Sequence, residues 1–153
     1  MREILFRGKR VDNGEWVFGS YSFEPRRKGA FGQTISDLDH ERHCIVSKKN
    51  YEYWEVIPET VGEYTGLTDK NGKRIFEGDI VAEACGWKGL VEFFTEDIGS
   101  CGCCVPQFDG SGFKAKYKNL DSGVDMRSCT IVGNIYDNPE MWEVGNENTR
   151  RPD

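Results

Sequence analysis

Short runs rich in aromatic and β-branched residues recur along the chain, separated by Gly, Asn, Asp and Pro, a pattern of strands joined by turns. Glu3–Lys9 (EILFRGK) places Ile4 and Phe6 on one face and Leu5 and Arg7 on the other. Glu15–Phe23 (EWVFGSYSF) repeats the signal after Asp12-Asn13-Gly14, and Asn-Gly between two such runs predicts a β-hairpin over residues 3–23. Trp16 and Phe18 are expected in its core. Glu24–Asp39, with Pro25, Gly29 and Gly32, reads as a loop.

Further strands are predicted at Cys44–Val46 and at Glu55–Ile57, which Pro58 closes. Thr60–Thr65 suits either a strand or one helical turn begun after Pro58. A second hairpin covers Leu67–Phe76. A two-residue turn at Asn71-Gly72 would oppose Lys70 to Lys73. A three-residue loop, Lys70-Asn71-Gly72, instead opposes Asp69 to Lys73 and puts Gly72 in the left-handed position of a bulge, so it is preferred. Glu77-Gly78-Asp79 is read as a turn in which Gly permits the bend and Asp accepts backbone N–H bonds. Strands follow at Ile80–Ala82, Leu90–Phe94, Phe113–Tyr117 and Thr130–Tyr136, with an irregular stretch over 95–112. Asn138 can cap a short helix that has Pro139 at its first position and Glu140 in its first turn. The expected fold is mainly β, a β-rich α+β chain. It is a twisted, partly closed barrel of roughly eight short strands, with an SH3-like central unit over Val61–Phe94 and a short C-terminal helix. Residues 1–144 are expected to form one domain and 145–153 a tail.

Composition agrees with this picture. The chain has 153 residues, 37% hydrophobic and 12% aromatic, enough for a core without disulfide or metal staples. Eighteen glycines against 5 prolines suit many tight corners. The net charge of −6 weighs against general nucleic-acid binding. It is uneven: residues 1–50 carry 10 Lys/Arg against 7 Asp/Glu, a balance of +3, and the remainder 10 against 19, a balance of −9. Met1 leads straight into Arg2 and Glu3 with no long apolar stretch, and no segment approaches the roughly 20 apolar residues that span a bilayer. The expectation is a cytoplasmic protein with no membrane partner, whose six cysteines are reduced.

Candidate chemistry is sparse. Cys101-Gly102-Cys103-Cys104 is a C-x-C-C run, whereas zinc knuckles take C-x2–4-C pairs, so no stoichiometric metal and no cofactor are expected. His43 adjoins Cys44, but neighbours in a strand face opposite ways, so the pair is not a catalytic dyad. Glu77 with Asp79, and Asp137 with Glu140, read as turn and cap residues, and no phosphate-binding glycine loop occurs. Arg26, Arg27, Lys28, Lys114, Lys116 and Lys118, with Tyr117 among them, are the candidates for a nucleic-acid contact.

Three strings carry a resemblance: MREILFRGKRVDNGEWVFG at the start, VIPETVGEYTGLTDKNGKRIFEGDIV in the middle, and VGNIYDNPEMW near the end. In this order the chain resembles the YopX family of phage and prophage proteins, over residues 1 to 144. The resemblance implies a phage protein in a bacterial host cell and brings no known activity. The Cys101–Cys104 insert lies outside the shared pattern. A non-enzymatic interaction protein is therefore expected, a homo-oligomer that also meets a phage or host protein. The alternatives are a nucleic-acid-associated phage protein or an enzyme. Tyr51, Tyr53 and Trp54, set among Lys48, Lys49, Asn50 and Glu52, are the expected interface, with Tyr51 and Tyr53 on one face if the run is extended.

Overall fold

The first two aromatic runs pair as the pattern requires. β1 (Phe6–Lys9) and β2 (Trp16–Glu24) are antiparallel, with Phe6 opposite Gly19 and Lys9 opposite Trp16. Their connection is longer than a two-residue turn. Arg10 N–H donates to Glu15 O at 2.9 Å and Gly14 N–H to Arg10 O at 3.0 Å, which leaves Val11–Gly14 as the loop, with Gly14 at φ +72°. These relations come from a computed structural model that describes residues 3–25, 41–93, 113–117, 123–124 and 126–143. The expected loop after Pro25, the irregular stretch holding Cys101–Cys104, and the C-terminal tail lie outside the described residues.

The chain divides into two compact units, the first covering Glu3–Glu63 and the second running from Tyr64 onward. In the first, β3 (Arg42–Val46) pairs with β2, and β4 (Tyr53–Glu55) pairs with β3, giving the order β4-β3-β2-β1. The opening residues of β5 (Gly62–Thr68) add to β1, with Glu63 opposite Phe6. This sheet curls. An antiparallel bridge joins Arg10 to Val56, Val11 N–H donates to Glu55 O at 3.1 Å, and Ile57 N–H donates to Lys9 O at 2.8 Å. The curl needs Gly19, where a Cβ would lie 2.0 Å from the Val46 carbonyl oxygen, a glycine at a strand bend. Inside it, Val17, Ile45 and Val56 form the core, with Phe6, Tyr21, Trp54 and Val61 packed around them. Pro58–Thr60 is a 3-10 turn and β5 follows it, so both predicted alternatives occur in succession.

In the second unit the rest of β5 pairs with β6 (Arg74–Phe76), and β7 (Asp79–Ala82), β8 (Lys88–Phe93), β9 (Phe113–Tyr117), β10 (Gly123–Val124) and β11 (Thr130–Asn134) form a sheet in the order β10-β9-β8-β7-β11. The short β10 carried no sequence signal. Ile75, Val81, Val91, Met126 and Cys129 are the core. The preferred three-residue loop is present: Thr68 faces Arg74, Asp69 N–H donates to Lys73 O at 2.8 Å, and Gly72 sits at φ +80°. The turn before β7 also matches, with Gly78 at φ +84° and Asp79 Oδ2 accepting Phe76 N–H at 2.8 Å.

The molecule is thus β-rich, with one short described helix, α1 (Pro139–Glu143). Among the described residues the strands form two antiparallel sheets and no closed barrel; the curl in the first unit stops at the Arg10–Val56 bridge. Two local expectations are corrected. Phe18 is half exposed and Trp16 only partly buried, both outside the core, because they share strand parity with Ser20 and Ser22 and not with Val17. The Asn138 side chain turns back to Asn134 N–H, 3.5 Å away, over Gly133, and it is the Asn138 backbone oxygen that accepts Met141 N–H at 3.0 Å.

Candidate interaction site

The β3–β4 loop repeats the geometry of the β1–β2 loop. Ser47 N–H donates to Glu52 O at 2.8 Å and Tyr51 N–H to Ser47 O at 3.0 Å, the same two bonds that Arg10, Glu15 and Gly14 make. The last loop position is left-handed in both, and where the first loop has Gly14 this one has Tyr51, at φ 55°. A bulky L-residue there crowds its Cβ against the backbone, at a cost of about 1 kcal/mol. Tyr51 is 82% exposed, so packing among the described residues does little to offset that strain. Lys48 Nζ donates to Ile4 O at 2.8 Å and holds the loop beside the exposed Ile4 side chain.

The other two expected interface residues sit differently. The left-handed turn at Tyr51 ends the extended run, so Tyr51 does not lie on the β4 face that Tyr53 occupies. Tyr53 is 41% exposed and tied to its own sheet: Arg42 Nη2 donates to its hydroxyl at 3.3 Å, and the Arg42 guanidinium lies 5.7 Å from its ring. Trp54 faces the opposite way and packs on the Val17–Ile45–Val56 core.

The polar groups nearby are set for structure. Burial, then hydrogen bonds to Cys44 and Glu24, push the Tyr53 phenol upward. Burial also raises the Cys44 thiol, with Tyr53 acting against it. A thiol held protonated is a poor nucleophile. His43 and Cys44 do face opposite ways. His43 stands beside the Phe23 ring at 5.1 Å and meets the Tyr21 hydroxyl at its Nδ1, 2.6 Å away, while Cys44 lies opposite Ser22 and Glu55. Burial, then the charge of Cys44, raises the Tyr21 phenol. Arg42 pairs with Glu24 at 2.7 Å, and Arg10 with Asp12.

The remaining candidates resolve by position. Asp79 is consumed by its turn, and Asp137 Oδ2 accepts Asn134 Nδ2–H at 2.9 Å. Lys114 and Lys116 lie on β9, opposite Glu92 and Leu90. Arg26, Arg27, Lys28 and Lys118 lie outside the described residues. Among the described residues no three His, Cys, Asp or Glu side chains gather as a metal site. The feature that sequence reading missed is the half-exposed Phe18, which strand parity alone would have exposed.

Fold and site together define a β-rich protein of two antiparallel sheets that displays a strained aromatic at a hairpin tip. The profile of the YopX family (YopX protein) matches residues 5–143, and the chain belongs to that family. No curated protein matches it.

Proposed function

We propose that this is a non-enzymatic phage or prophage protein of the bacterial cytoplasm that self-associates through the tip of its β3–β4 hairpin, with Tyr51 as the anchor. One observation carries the reading: Tyr51 occupies a left-handed position that suits glycine, and its side chain is 82% exposed. A strained, exposed aromatic points to a role outside the chain. Tyrosine suits that role, since it brings large contact area at low side-chain entropy. Tyr53 flanks the tip, and Trp54 supports the strand from inside. The family match runs through both compact units, which supports treating residues 1–144 as one domain.

The test is a substitution that separates folding from association. Tyr51→Gly is expected to raise unfolding stability by about 1 kcal/mol through relief of strain, and to shift the protein toward monomer in light scattering at micromolar concentration. A wild-type chain that is monomeric throughout, or a Tyr51→Gly chain that associates as before, removes the reading.

A further inference from the structure

We propose that Asn71 is a site of spontaneous modification, where the β5–β6 loop cyclises and then opens to aspartate or isoaspartate, while the fold holds the matching pair Asn13-Gly14 back. The chain has two Asn-Gly pairs. Both are exposed, and each sits in a hairpin loop with its glycine left-handed, Gly14 at φ +72° and Gly72 at φ +80°. Each glycine N–H donates to a carbonyl of its own loop, Gly14 to Arg10 O at 3.0 Å and Gly72 to Asp69 O at 2.9 Å, so that restraint is common to both. The side chains differ. Asn13 Oδ1 accepts Glu15 N–H at 3.0 Å, and Asn13 Nδ2–H donates to Glu15 Oε2 at 2.9 Å, so both ends of that amide are held. Asn71 is tied by its backbone N–H, to Asp69 Oδ1 at 2.8 Å, and among the described residues its side chain makes no hydrogen bond.

The reaction is an intramolecular acyl transfer, and its rate depends on how freely the amide swings over the following backbone nitrogen. The Gly72 nitrogen attacks Asn71 Cγ, and the new N–Cγ bond closes a five-membered succinimide. The Cγ–Nδ2 bond breaks, and Nδ2 leaves as ammonia with the proton from Gly72 N–H. Water then adds to one of the two imide carbonyls and opens the ring, to aspartate or to isoaspartate. The product stands in the loop that fastens β11, since Asp69 Oδ1 accepts the N–H groups of Asn71 and Lys73 while its Oδ2 accepts Ile131 N–H. An isoaspartyl link lengthens the backbone by one atom before Gly72, and the new carboxylate lies two residues from Asp69. Both changes loosen the loop, so an aged chain holds β11 less firmly.

The test ages full-length protein at mildly alkaline pH, cuts it with chymotrypsin, and follows the peptide carrying each pair by mass spectrometry for the change from amide to acid. Isoaspartate is read separately by enzymatic methyl labelling. Asn71 is expected to convert about tenfold faster than Asn13, the effect of two hydrogen bonds on the Asn13 amide, and the two rates to converge in denaturing guanidinium chloride. Glu15→Ala removes the acceptor of Asn13 Nδ2–H, so it is expected to speed conversion at Asn13 and leave Asn71 unchanged. Asn71→Gln, whose longer side chain must close a six-membered ring, is expected to keep its melting temperature on ageing while that of wild type falls. Circular dichroism verifies that both variants are folded before ageing. No conversion at Asn71 in the folded chain, or conversion at Asn13 as fast as at Asn71, overturns the proposal. An equal fall in melting temperature for aged Asn71→Gln overturns the link to β11.

Discussion

At the scale of single residues, the backbone decides more than the side chains do. Gly72 sits at φ +80° with nothing within 4 Å of where its Cβ would be, so a substitution there meets conformational strain and no clash. Gly72→Ala is expected to lower unfolding stability by about 1 kcal/mol. Lys70→Ala in the same loop should be close to neutral, because Lys70 contributes its backbone N–H to Cys129 O. Chemical denaturation of the two variants checks the contrast, and equal losses would contradict it. The loop was legible from sequence, but for an incomplete reason. Charge pairing between Asp69 and Lys73 suggested it, whereas the Asp69 carboxylate in fact accepts the backbone N–H of Asn71 at 2.8 Å and of Lys73 at 2.9 Å.

At the scale of elements, Asp69 ties the β5–β6 hairpin to β11. Its Oδ2 accepts Ile131 N–H at 3.1 Å, and Lys70 N–H donates to Cys129 O at 3.1 Å beside it. Burial works to raise the Asp69 carboxyl, and the N–H groups of Ile131, Lys73 and Asn71 outweigh it, so the group titrates below the usual carboxylate range. A carboxyl depressed in the folded state contributes stability above its unfolded pKa, and that contribution is lost as pH falls through the folded value. Wild type should therefore lose stability below about pH 4. Asp69→Asn should lose about 2 kcal/mol at neutral pH and show a flatter acid limb. Denaturation midpoints between neutral and acid pH measure both, and parallel acid limbs in the two proteins would contradict the assignment. Strand existence was read well from alternation. Strand faces were read less well, because Phe18 was judged by its side chain and not by its parity with Ser20 and Ser22.

At the scale of the whole molecule, self-association links stability to concentration, since a partner that binds only the folded chain raises its melting temperature by mass action. The wild-type melting temperature is expected to rise with protein concentration in calorimetry, and that of Tyr51→Gly to stay constant. A wild-type value independent of concentration would count against the hairpin-tip contact. Sequence by itself determined the β-rich class, the two hairpins, the Gly72 loop, the Gly78-Asp79 turn and the family, because turns and alternation are local properties of the backbone. Only the tertiary structure decided the curl at Gly19, the anchoring of β11 by Asp69, the inward packing of Trp54 and the exposure of Phe18. It also revealed that Tyr51 stands where a twin loop has Gly14. These depend on which distant segments meet: Val46 against Gly19, Val56 against Arg10 and Ile131 against Asp69 are pairings between residues far apart in sequence, set by packing and not by local propensity.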